Sequence, residues 1–235
     1  MKNRKFMNLI EEVERREHDF MHLSVADRET KKNALAAVKH DPNNLHYVTK
    51  MADDYDVVKE AVQRDGMAIQ FASKRRRCNK NIAEIAVRQN GRAFSFLSKE
   101  LRKSTKLLRI ALETDPDAIL LGFAFQKHNP ELVMMAVKGD PDLLEALALD
   151  DAIYVSDFSK YTDTPWEFDD EHYVRCKNRE IVMEAVKKNG AMIQYASDNL
   201  QRDPEVVKAA LDEDPDADVY LDEKVLKNLG FYGKE

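Results

Sequence analysis

The chain has 235 residues, of which 43% are apolar and 34% charged, with seven glycines, seven prolines and a net charge of −6. That balance fits a helix-rich folded protein and argues against disorder and against a dedicated nucleic-acid binder. Two cysteines, Cys78 and Cys176, are too few for a disulfide framework. Reduced thiols in a cytoplasmic setting are the expectation. No signal peptide is legible at the N-terminus, and no run approaches the roughly 18–20 apolar residues that span a bilayer.

Residues 1–29 place Phe6, Leu9, Val13, Phe20 and Leu23 at loosely helical spacing among dense charge, which predicts an N-terminal capping region. His18 and His22 lie four apart there, a spacing able to share one metal, but structural zinc wants four ligands and no third is in evidence. From residue 30 onward a repeat takes over. Alanines followed by valine or leucine recur at Ala37, Ala61, Ala86, Ala111, Ala136, Ala185 and Ala210, with gaps of 24, 25, 25, 25, 49 and 25. Such a fixed period signals stacked helical hairpins, each unable to bury its apolar stripe alone.

Seven residues before the anchors stand Thr30, Asp54, Asn79, Ser104, Asn129, Asn178 and Asp203, all good N-caps. Apolar pairs such as Val57–Val58 and Leu107–Leu108 complete one stripe on a helix of about ten residues. Past each anchor comes Asp or Asn followed by Pro or Gly, as in Asp41–Pro42, Asp65–Gly66, Asn90–Gly91 and Asn189–Gly190. The Gly versions predict helix ends through a left-handed residue, the Pro versions a cap that starts the next helix. A second helix then carries Leu45, Ile69, Phe94, Ile119, Leu144 and Ile193. Two residues on, Tyr47, Phe71, Phe96, Leu121, Tyr195 and Tyr220 read as further core positions.

The predicted fold is therefore all-α, an α-solenoid of seven to eight helix–turn–helix repeats of about 25 residues. Repeats one to five occupy 30–147 and repeats seven and eight 178–221, with a capping segment over 222–235 that is closed by Gly230. The 49-residue gap leaves 148–177 as a degenerate repeat with a solvent-facing loop around Trp166.

The stretches AVRQNGRAFSFLSKEL (86–101) and AVKKNGAMIQYASDNLQRDPEVVKAAL (185–211) resemble the repeats called domain of unknown function 4116. The likeness rests on the Asn-Gly or Asp-Gly turn and on Phe71-Ala72-Ser73 and Tyr195-Ala196-Ser197, and extends more weakly over 30–221. Arg76 stands where that pattern has leucine, and Gly122-Phe123 replaces Ala-Ser. The resemblance implies helical hairpins and supplies no reaction, cofactor or catalytic residue.

Charge is unevenly placed. Residues 74–109 hold twelve Lys and Arg against two acids, while 140–172 hold eleven acids against one Lys. The basic stretch contains Arg75, Arg76, Arg77, Arg88, Arg92 and Lys103, which together with Trp166 are the candidate binding residues. They predict a module that binds a charge-complementary protein, with no enzyme activity, no cofactor and no membrane. The plainer alternatives are a solvated face for the charges and, favoured for Trp166, a loop ring packed back onto its own core. Phosphate-backbone binding through the same residues is the second reading, disfavoured because rings such as Phe94 and Phe96 are expected to be buried and so unable to stack on bases. A monomer, or weak association between opposite charges, is the expected state. Asp212, Asp214, Asp216, Asp218 and Glu223 imitate a calcium loop, but Ala217 stands at its required glycine, and capping aspartates explain the run better.

Overall fold

The computed structural model describes residues 23–150, 163–168 and 174–231. His18 and His22, and most of the predicted N-terminal cap, lie outside them. The chain divides between Thr114 and Asp115 into two compact units. The first contains α1 (Val25–Arg28), α2 (Lys31–His40), α3 (Tyr55–Arg64), α4 (Lys74–Arg77), α5 (Lys80–Gln89), α6 (Lys99–Arg102) and α7 (Thr105–Leu112). The second contains α8 (Ala124–Lys127), α9 (Pro130–Gly139), α10 (Leu143–Ala148), α11 (Arg179–Val186), α12 (Pro204–Glu213) and α13 (Glu223–Asn228), with strands β1 (Trp166–Phe168) and β2 (Val174–Cys176). Among the described residues no helix is long and apolar enough to cross a membrane.

All seven predicted caps start a long helix by accepting a backbone N–H in its first turn. Asp54 takes those of Asp56 and Val57, and Asn178 those of Glu180 and Ile181. The anchor alanines are buried, as are pairs such as Val57–Val58 and Leu132–Val133. Within the first unit α2, α3, α5 and α7 pack in sequence, and within the second α9, α11 and α12 do the same. Each fully buried Val, Leu or Ile in these seams contributes about 1.5–3 kcal/mol. Backbone bonds reinforce the seams. Ser73, Ser98 and Ser197 donate their N–H to the carbonyls of Ala52, Arg77 and Cys176 at 2.8, 3.2 and 2.9 Å, each time the residue two before a cap.

Except at α10, which is α-helical, the second helix of the described repeats differs from expectation. It is a six-residue 3-10 helix, as at Pro42–Tyr47, Gly66–Phe71, Gly91–Phe96, Pro116–Leu121, Gly190–Tyr195 and Pro215–Tyr220. A short helix, such as α4 or α6, then closes the unit. Six residues is long for a 3-10 helix. Side-chain caps help hold several of them. Asp65 and Asn90 accept from the N–H two residues on, at 2.9 and 3.0 Å.

The glycine turns also work differently. Asp65, Asn90 and Asn189 are extended, and the one glycine with positive φ among the described residues is Gly230. There Gly230 and Phe231 return hydrogen bonds to Lys227 and Leu226, which ends α13 as predicted. The other glycines answer a demand for space. A Cβ on Gly66 would sit 2.3 Å from the Ala86 carbonyl oxygen, and one on Gly190 would sit 2.4 Å from that of Ala210. The freed amides bond to the next repeat: Gly66 to Gln89 Oε1 (2.5 Å), Gly91 to Thr114 Oγ1 (2.8 Å) and Gly190 to Glu213 Oε2 (2.5 Å). Pro116 has no N–H to satisfy, and the corresponding residue of its neighbouring helix is Gly139, whose Cβ would meet the proline ring at 2.2 Å. Glycine facing a polar acceptor, or proline facing glycine, are two solutions to one close approach.

Across the 148–177 segment the long helices of the second unit meet directly. Helix α11 packs directly on α9, and Tyr195 Oη donates to Glu145 Oε1 at 2.5 Å across 50 residues. The described part of the intervening chain supplies an antiparallel hairpin, Trp166 opposite Cys176 and Phe168 opposite Val174. The predicted solvent-facing loop around Trp166 is thus corrected to a strand, and its ring is fully buried, as the packed-back reading expects.

Candidate partner-binding surface

Arg75, Arg76 and Arg77 occupy α4, capped by Ser73. Arg75 makes a forked ion pair with Asp53, its Nε 3.0 Å from both carboxylate oxygens and Nη2 2.7 Å from one. Ser73 Oγ adds a 2.5 Å bond to the same carboxylate. The Arg75 pair, with Ser73, holds Asp53 at about 2, well below an ordinary aspartate. Arg76 donates Nε to the Asp53 carbonyl at 2.8 Å and lays its guanidinium 5.5 Å from the centre of the Tyr55 ring. Its side chain is 13% exposed. This explains an arginine at a leucine position, since the stem fills the seam and the head finds a carbonyl and a ring. The Nε of Arg77 is buried, with no hydrogen-bond partner among the described residues. The cluster is therefore mostly engaged within the unit.

The other candidates divide. Arg88 and Lys106 share Glu84 at 3.1 and 2.8 Å and lower its pKa, Lys106 more strongly. Lys103 pairs with Glu100 at 3.2 Å. Arg92 is exposed beside the buried Gly91. Exposed pairs of this kind contribute little to stability and are easily exchanged for a partner's charge.

A feature the sequence reading missed is a column on the 3-10 helices of the first unit. Those helices pack side by side, 42–47 against 66–71 and 66–71 against 91–96. Each ends in a ring, and these rings are not the core residues expected: Tyr47 is 46% exposed, and Phe71 and Phe96 are half-buried. His46 lies 5.1 Å from the rings of both Tyr47 and Phe71, edge-on, joining two repeats. Phe94, by contrast, is fully buried as predicted. Three residues after each ring comes a lysine, Lys50, Lys74 and Lys99, all exposed. None of the three ammonium groups is engaged by an acid or a carbonyl of the described chain. The signal was present as ring-x-x-Lys at the repeat period. It was obscured because the ring position resembles a core position.

In the second unit the same register reads Tyr195 with Asp198 and Tyr220 with Glu223. Charge follows the units: residues 1–114 carry 24 Lys and Arg against 16 acids, +8, and residues 115–235 carry 13 against 27, −14. Trp166 donates Nε1–H to the Lys127 carbonyl at 2.9 Å. Around it Lys127 pairs with Asp150, and His128 Nδ1 meets Thr164 Oγ1 at 2.7 Å. These buried polar groups dock the hairpin onto α8. Of the acids that imitate a calcium loop, Asp214 caps the 3-10 helix that follows it and Asp212 pairs with Lys208. Burial pushes the Cys176 thiol up to about 12, which keeps it protonated, while Cys78 is exposed at the end of α4.

The family model described as a domain of unknown function, DUF4116, matches residues 30–75, 54–102, 79–126 and 178–226, together more than half of the chain. Each match begins on a helix-capping residue and spans about two repeats, and the stretch holding the hairpin is not covered. No curated protein matches the chain, and neither does any solved structure.

Proposed function

Since the chain belongs to the DUF4116 family of repeats, we propose that it acts by binding rather than by catalysis, as a scaffold or adaptor for an acidic protein held along its first unit. The observation that carries this reading is the +8 charge of that unit, combined with lysines that have no partner among the described residues at one repeated surface position. A field of that sign attracts an acidic partner and speeds encounter, and its effect weakens as salt screens it. The ionisable groups that come together elsewhere support the fold: Lys127 with Asp150, Arg179 with Asp203, and Asp53 with Arg75. Trp166, being buried, stands outside the proposed surface.

The test is cross-linking mass spectrometry on the full chain in its native host. An acidic protein linked mainly through lysines of residues 23–114, and released by raised salt, is the expected result. Recovery of no acidic partner, or links confined to the second unit, would refute the proposal.

A further inference from the structure

The column on the first unit has a spacing as well as a charge, and the spacing selects a ligand. Neighbouring packed elements lie roughly 8–10 Å apart, so successive ring–lysine pairs present one apolar surface and one ammonium at about that interval. An extended peptide in the polyproline II conformation advances about 9.3 Å for each turn of three residues, and every third side chain points the same way. A β-strand covers a similar distance in three residues but alternates faces, so its every-third residues point to opposite sides. Aromatic-lined surfaces are the usual docking site for polyproline segments, because the rings pack on the prolines of a backbone already extended. The free lysines add a demand for carboxylates in the same phase. Other unengaged lysines of the unit, Lys32, Lys39, Lys59 and Lys80, share no common repeat position. The periodic column is thus distinct from general surface charge.

We propose that Tyr47/Lys50, Phe71/Lys74 and Phe96/Lys99 form a docking track for an extended, proline-rich acidic peptide carrying a carboxylate at every third residue. This rests on the reading of the chain as a protein-binding module and names the partner's chemistry. A polyproline ligand loses little conformational freedom on binding, so a shallow track without a deep pocket suffices.

The experiment is fluorescence anisotropy with the full chain and a labelled peptide repeating Glu-Pro-Pro. The comparison peptide has the same composition with its glutamates gathered at one end, and oligo-uridine serves as a single-strand probe. The expected result is saturable binding of the in-phase peptide, roughly tenfold or more tighter than the regrouped one. Combining Lys50→Glu, Lys74→Glu and Lys99→Glu should abolish it, while Lys→Arg at the same sites retains it. These side chains are exposed and without partners among the described residues, so the fold is expected to be unaffected, as circular dichroism would verify. Equal affinity for the two peptides, insensitivity to the triple reversal, or preference for oligo-uridine would each overturn the track. If the peptide fails while an acidic host protein still cross-links to the first unit, the track alone is wrong. If no acidic protein is captured either, the broader reading falls with it.

Discussion

Gly66→Ala probes the principle by which the repeats interlock. The new Cβ would lie 2.3 Å from the Ala86 carbonyl oxygen, and 2.9 Å from Gln89 Oε1, where an ordinary contact begins near 3.4 Å. The neighbouring helix end must retreat by about 1 Å, because the obstacle is backbone and has no rotamer to change. Overpacking of this kind costs about 1–3 kcal/mol. Losing the Gly66 N–H bond to Gln89 adds about 0.5–1.5 kcal/mol. Alanine's stiffer unfolded chain returns about 0.4–1 kcal/mol. The net is about 0.5–4 kcal/mol, centred near 2, and that central value is a fall in melting temperature of roughly 8–16 °C for a unit of this size. Thermal and urea melts followed by circular dichroism measure it. Gly139→Gln supplies the partner experiment in the second unit. There the obstacle is the Pro116 ring, so the destabilisation should be relieved when Pro116→Gly is added, which recreates the pairing of Gly66 with Gln89. Two contacting sites should couple by about 0.5–3 kcal/mol in that cycle. If Gly66→Ala melts like the parent, or Pro116→Gly gives no relief, the close-approach explanation is refuted.

Trp166 is the sole tryptophan and fully buried, so its emission should be blue-shifted and shielded from acrylamide. Emission resembling free tryptophan would place the ring in water instead. Trp166→Ala should cost about 3–5 kcal/mol by emptying the space beneath the hairpin, read as a lowered urea midpoint. Asp53, held at about 2 by Arg75 and Ser73, contributes stability that is complete above the unfolded value near 4 and is lost as pH falls towards 2. Asp53→Asn should therefore flatten the decline in melting temperature over that window, and an unchanged slope would contradict the pairing. Opposite charges of +8 and −14 on the two units predict that any self-association is strongest at low salt, measured by light scattering. A molar mass that rises with salt would be inconsistent with it.

Local chemistry made much of this protein legible before any coordinates. A cap such as Asn79 acts on amides two and three residues away, and an anchor such as Ala86 faces inward because its apolar neighbours recur at helical spacing. These are short-range relations, so the period, the seven long helices and their buried stripes could be read directly. Relations between repeats could not. Nothing within Asp65–Gly66 says that the glycine makes room for Ala86, twenty residues on; the pair reads equally well as a left-handed turn. The exposure of Phe96 beside the burial of Phe94 depends on where the next 3-10 helix lies. Which arginines remain free depends likewise on acids a repeat away, as Asp53 is from Arg75. The direct seating of α11 on α9, and the strand pairing that carries Trp166, came from tertiary packing alone. Hydrogen bonds along the chain declare themselves within a few residues, whereas space and charge are shared between segments that meet only after folding.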